Sequence, residues 1–201
     1  MMQTCITLVN PRTDDDITAI SASFDTIHEA LNDDGTLWLM VTDTDDPQGY
    51  PWKLAFSLRS KGWWLRQDII SSVLQYGHHH YFFMLAKNSQ YYYNYEGLQE
   101  IATTGNDKIG QETSKFGGNK YGDNPEYILH SGKRWVPTGF RNKRSVWKIQ
   151  ADTLLEEYER LAEYAVKGGS DIGHIITDPF DTWEITQEVA TNLGREFKQI
   201  T

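Results

Sequence analysis

Cys5-Ile6-Thr7-Leu8-Val9, then Ile17, Ile20, Phe24, Ile27 and Leu31, then Thr36-Leu37-Trp38-Leu39-Met40-Val41-Thr42: these three patterns in succession decide the fold. The first and third are short apolar runs of the kind a strand buried on both faces requires. Between them the apolar residues fall three or four apart, which is the spacing of an amphipathic helix. Asp14 to Asp16 read as an acidic turn before that helix, and Asp33-Asp34-Gly35 as its end, with Gly35 suited to a left-handed cap. Strand, helix and strand of this length make a parallel crossover unit.

Outward from this unit the alternation continues. Trp52 to Leu58 predicts a short helix broken by Gly62, Trp63 to Ile70 a strand, and Tyr81 to Leu85 another. Tyr91 to Tyr95 reads as an aromatic strand or loop. Order returns at Ser145 to Ile149. A strong helix follows over Asp152 to Val166, with Thr153 and Glu156 at capping-box spacing and Tyr158 on its apolar face. Ile172 to Thr177 reads as a strand, Glu184 to Leu193 as a helix stopped by Gly194, and Phe197 to Ile200 as a last strand. The expectation is one α/β domain over residues 1–201, a mostly parallel sheet with helices on both faces.

Residues 103–144 interrupt the pattern with Gly, Asn, Lys and Ser, an irregular insert. Net charge is −9, which argues against non-specific nucleic-acid binding, but it is unevenly placed. Between Lys115 and Lys148 eight Lys/Arg face only Asp123 and Glu126. That stretch is therefore +6 and the rest of the chain −15. Such a stretch is either a solvated loop or a basic edge that meets phosphates. No run reaches the roughly 20 apolar residues of a membrane span, and no secretory pattern opens the chain. The single cysteine, Cys5, permits no internal disulfide and no cysteine metal cluster; a cytoplasmic setting is expected. His78-His79-His80 looks like a metal cluster, yet consecutive strand residues point to opposite faces, so no metal is expected.

Two runs are more specific than packing demands. Gly49-Tyr50-Pro51-Trp52-Lys53-Leu54-Ala55-Phe56 with Lys61-Gly62-Trp63-Trp64-Leu65-Arg66-Gln67-Asp68-Ile69-Ile70 is similar to the "IPWR.AFAL...GW.LRQDIIW" stretch of bacterial and phage DNA methyltransferases that act on adenine N6 or cytosine N4. Arg141-Asn142-Lys143-Arg144-Ser145-Val146-Trp147 resembles that family's "RNKRSVW" run. His79 to Lys87 resembles "HEYIFLLSK", and Ile176-Thr177-Asp178-Pro179-Phe180 with Leu193-Gly194-Arg195-Glu196-Phe197 resembles "VLDPF...LGR.FIGIE". The resemblance implies a Rossmann-like methyltransferase fold, truncated, and permuted so that the catalytic motif precedes the cofactor motif. It also implies a bacterial or phage-infected cell and a restriction-modification setting.

The family flips a base out of the duplex and transfers the methyl of S-adenosylmethionine to its exocyclic amine. It does so with an Asp/Ser/Asn-Pro-Pro-Tyr/Phe motif, a glycine loop after Asp-Pro-Phe that lets backbone approach the cofactor, and an acid on the ribose. Here the corresponding places read Val9-Asn10-Pro11-Arg12, Asp181-Thr182-Trp183-Glu184-Ile185-Thr186, and Thr201. The stacking ring is an arginine, a loss of roughly 1–3 kcal/mol of base stacking. Bulky side chains replace glycine. Against the family, then, the cofactor remnant is Asp178, Pro179, Phe180 and Thr201, and no complete catalytic set stands at Val9 to Arg12. The expectation is a pseudoenzyme without cofactor that keeps binding to double-stranded DNA or a protein partner, a second copy included. Residues 103–144 correspond to a reduced target-recognition region, with Lys133, Arg134, Arg141, Lys143 and Arg144 as phosphate contacts. Lys143 and Arg144 could instead hold the scaffold, paired to acids such as Asp68. Two alternatives stand: an active S-adenosylmethionine-dependent methyltransferase, alone or as one subunit of a heteromer, and an acidic protein that blocks a nucleic-acid-binding partner.

Overall fold

A computed structural model describes residues 2–43, 47–73, 79–101 and 140–200. The chain divides into two compact units, Met1–Leu98 with Arg144–Thr201, and Gln99–Lys143.

In the first unit, β1 (Met2–Val9) leads through α1 (Asp14–Ala30) to β2 (Leu31–Val41), α2 (Tyr50–Ser60), β3 (Trp64–Val73) and β4 (His79–Ala86). In the second, β5 (Gln99–Ile101) and β6 (Phe140–Asn142) form an antiparallel pair. The first unit resumes with β7 (Val146–Ile149), α3 (Leu154–Gly169), β8 (Ile175–Thr177), α4 (Trp183–Asn192) and β9 (Glu196–Phe197). Its seven strands lie in the order β7-β3-β4-β2-β1-β8-β9. Only β4 runs against the other six.

Alternate residues of each strand feed two cores. Cys5, Leu37, Leu39, Phe83 and Leu85 pack with Ile17, Phe24 and Ile27 of α1 and with Leu54 and Leu58 of α2. Ile6, Trp38, Met40, Phe82 and Met84 pack with Tyr158, Leu161 and Ala165 of α3 and with Val189 and Ala190 of α4. The mostly parallel sheet covered on both faces is thus present.

Several local expectations are corrected. Asp14 to Asp16 are the first turn of α1, because Thr13 caps the helix and Asp16 returns the bond in a full capping box. Gly35 does not cap that helix; α1 stops at Ala30, and Gly35 is not among the left-handed glycines. It lies inside β2, where an added Cβ would stand 2.9 Å from Asn32 O and 3.0 Å from Leu31 Cβ. The strand read from Trp63 runs from Trp64 to Val73, with Trp63 buried just before it. The strand read from Ile172 is confined to Ile175–Thr177. Tyr91 to Tyr95 form a loop. Gly194, at φ 75°, does follow the last helix as its break. Within the insert, residues 103–139 lie outside the described residues.

Candidate site at the carboxyl edge of the sheet

From β1 the chain crosses by α1 to β2 on one side; from β8 it crosses by α4 to β9 on the other. The two crossovers lie on opposite faces, as right-handed connections in opposite directions require. The carboxyl ends of β1 and β8 therefore flank the point where strand order reverses, the place in an open α/β sheet where ligands enter.

Val9-Asn10-Pro11-Arg12 leaves β1 at this point. The Val9 carbonyl accepts from the Thr42 N–H (3.3 Å), and the Asn10 side-chain carbonyl accepts from the Thr42 hydroxyl. The Arg12 and Thr13 N–H groups both donate to Asp16 Oδ2 (2.8 and 2.9 Å), which holds that carboxyl below its usual range. The segment thus ties β1 to β2 and caps α1, and the Asn10 acceptor is already engaged.

Asp178 ends β8 and is fully buried. The hydroxyls of Tyr158, Thr182 and Thr186 lie 3.0, 2.7 and 2.8 Å from its Oδ2, and the Phe180 N–H donates to Oδ1 (3.1 Å). Burial pushes the carboxyl above its ordinary value despite these donors. Thr182 also accepts from the Leu8 N–H (3.4 Å), so one hydroxyl stitches β1 to the start of α4 across the reversal point. Phe180 turns back onto Phe24, with ring centres 5.6 Å apart. The Trp183 ring stacks on Phe197 at 6.4 Å. The residues closing this end are Thr182, Thr186 and Tyr158. From the sequence Tyr158 reads as a core residue on the apolar face of its helix. Its signal was there: Asp178, Thr182 and Thr186 stand at successive four-residue steps across a helix start.

The fit to S-adenosylmethionine can be read from these contacts. No glycine lies between Pro179 and Leu193, α4 starts at Trp183, and the Asp178 oxygens and the Leu8 N–H already have partners. The residues present do not form the backbone cradle such a cofactor needs. Beside Asp178, burial pushes the Cys5 thiol well up, so it is an inert core group.

Elsewhere on the same edge, the buried Glu157 of α3 accepts from Ser71 (2.5 Å) and pairs with His80 Nδ1 (2.9 Å). Ser71 is fully buried. His79 lies edge-on to Tyr81, and His78 lies outside the described residues. Among the described residues no group of three His, Cys, Asp or Glu could hold a metal.

Of the basic residues, Arg141 on β6 makes an ion pair with Glu100 on β5 (2.8 Å), and Lys143 lies 3.8 Å from the same carboxylate. Glu100 is thus an acid that both Arg141 and Lys143 meet. The Arg144 carbonyl accepts from the Trp147 indole (2.6 Å). Lys133, Arg134 and Thr201 lie outside the described residues.

No family model and no curated protein matches the sequence. Solved structures do match its shape. The PvuII DNA methyltransferase, cytosine-N4-specific, superposes with a TM-score of 0.64 at 8% identity, over 98% of this chain and 75% of that one. A putative DNA modification methylase of Thermus thermophilus, TTHA0409, gives 0.61 at 18% identity over 99% and 81%. Its complex with S-adenosyl-L-methionine gives 0.60 at 16% identity over 98% and 79%. The chain shares the Rossmann-like α/β fold of these structures. No helix among the described residues is long and apolar enough to cross a membrane.

Proposed function

We propose that this chain is a DNA amino-methyltransferase scaffold that no longer transfers methyl groups and serves by binding double-stranded DNA or a protein partner. The observation that carries this reading is the internal satisfaction of Asp178. A carboxylate at the reversal point that already takes three hydroxyls and an N–H offers nothing to a ligand. Opening it to one would strand buried polar groups at about 1–3 kcal/mol each. Asn10, engaged by Thr42, supports the same reading for the amine-holding position.

The binding half of the proposal rests on the local charge of +6 between Lys115 and Lys148, with Lys133, Arg134, Arg141, Lys143 and Arg144 as the phosphate contacts. Because Glu100 neutralises part of that set, DNA affinity is expected to be modest and to fall steeply with salt.

Calorimetric titration of the purified chain with S-adenosylmethionine should show no binding. Tritiated methyl transfer to mixed duplex DNA should give no incorporation, with or without a co-purifying protein. Cofactor binding by the chain alone would overturn the reading. Incorporation only with a partner would replace it with that of a heteromer subunit.

A further inference from the structure

The run Gly62 to Ile70 is more specific than its strand period explains, and two of its polar side chains have a destination the proposed function does not use. The Arg66 guanidinium lies over the Tyr91 ring (4.7 Å), and the Gln67 amide donates to the Tyr93 hydroxyl (3.1 Å). Both targets lie in the loop Tyr91-Tyr92-Tyr93-Asn94-Tyr95, at the amino edge of the parallel strands and so at the opposite end from Asp178. The Tyr92 N–H donates to the Asp34 carbonyl and the Asn94 N–H to the Gly168 carbonyl, both at 2.8 Å. The Tyr93 ring lies nearly parallel to Trp38 (6.5 Å, 18°), and Tyr92 meets His174 edge-on (5.8 Å). These contacts anchor the loop from Tyr91 to Asn94.

What it holds is an open surface. Residues 90–96 with Asp34 line a cleft of about 490 Å³. Tyr95 is 51% exposed, and the charged residues that line the cleft, Asp34 and Glu96, are both exposed acids, with Arg66 against Tyr91 and Arg195 near Tyr92 as the neighbouring cations. Pre-ordered tyrosines lose little side-chain entropy on contact, which is why they concentrate at binding surfaces. Aromatic faces beside carboxylates are the chemistry that takes a guanidinium or an ammonium, and Arg66 over Tyr91 is that contact already made on the same loop. The balance of −15 outside the basic stretch draws cationic partners and repels phosphates.

We propose that this cleft docks an arginine or lysine side chain presented by a partner protein. It lies at the other end of the sheet from the candidate site, so it stands whether or not that site is closed. The test uses the full chain with 13C-labelled tyrosine, titrated with acetyl-Gly-Arg-Gly-amide and with the same peptide carrying citrulline, which keeps the shape and removes the charge. The arginine peptide should shift the loop tyrosine signals saturably, with the citrulline peptide at least about fivefold weaker. Tyr95→Ala and Glu96→Gln should each weaken the arginine peptide about two- to fivefold. Tyr95 is half exposed, so its loss leaves the fold intact, and the comparison of peptides needs no variant. Equal response to the two peptides, shifts away from the loop, insensitivity to both variants, or tighter binding of a duplex oligonucleotide at these rings would overturn the proposal.

Discussion

The two ends of one sheet treat their polar side chains in opposite ways. At the carboxyl edge Asp178, Tyr158, Thr182 and Thr186 face one another and exclude water. At the amino edge Arg66 and Gln67 support a loop whose lining faces solvent. In a working enzyme of this architecture the opposite distribution is expected, since a ligand at the strand reversal needs donors and acceptors not yet spoken for. On the function proposed above, closure comes from hydrogen-bond partners rather than from a bulky plug. Trp183, the largest residue in the segment, stacks on Phe197, while the hydroxyls of Tyr158, Thr182 and Thr186 meet at Asp178.

The largest test of the contrast is Asp178→Ala. Removing the shared acceptor leaves three buried hydroxyls to find other partners, and about 3 kcal/mol of stability should be lost in urea unfolding. A loss below about 1 kcal/mol would mean that the cluster does not hold this edge together. Asp178→Asn examines the charge itself. The folded carboxyl titrates above its unfolded value, so its stabilising protonated form is complete below the unfolded value, near 4. That contribution is lost as pH rises through the raised folded value. The wild type should therefore lose stability relative to Asp178→Asn across that window and run parallel to it at higher pH. Denaturant midpoints against pH would show this, and parallel curves throughout would remove Asp178 as the titrating group.

Gly169→Ala probes the amino edge with a smaller expected effect. A Cβ there would stand 2.7 Å from Trp38 Nε1, 2.9 Å from Thr4 Oγ1 and 3.0 Å from Thr36 Oγ1. Thr4 already donates to the Gly169 carbonyl (2.5 Å), so α3 sits against the sheet with no slack. About 2 kcal/mol should be lost. The tyrosine loop should loosen too, because the neighbouring Gly168 carbonyl anchors Asn94 and Trp38 backs Tyr93. Hydrogen exchange at the Asn94 amide is the readout; unchanged protection would separate the loop from the helix end.

Much of the sheet was legible because its central strands β1 and β2 are buried on both faces and the helices are apolar on one, a pattern that Leu37 to Val41 and Ile17 to Ile27 state directly. The start of α1 was misread because three successive aspartates look like a turn until Thr13 is seen as their cap. Gly35 was misread because the helix ended earlier and β2 began at Leu31. At the site, the departures at Val9 to Arg12 and Asp181 to Ile185 were visible as missing residue types. What replaced them was not, because the partners Tyr158 and Asp178 are 20 residues apart and meet only across the packed α3–α4 face. Arg195 shows the same limit. The sequence marks it as part of a kept run, but its task, binding the Leu193 and Ser170 carbonyls at 2.5 and 2.8 Å, needs the ends of two helices brought together.

The finest test is Thr182→Gly. This side chain spans the reversal point, donating to Asp178 and accepting from Leu8. Its removal should cost about 1 kcal/mol, since one buried N–H loses its acceptor and one carboxylate contact goes. It also returns a glycine to the segment where the cofactor loop would lie. If closure is shared, Tyr158 and Thr186 still occupy Asp178 and calorimetry with S-adenosylmethionine stays flat. If heat of binding appears, one hydroxyl is all that separates this edge from a ligand site, and the contrast between the two ends of the sheet reduces to a single side chain.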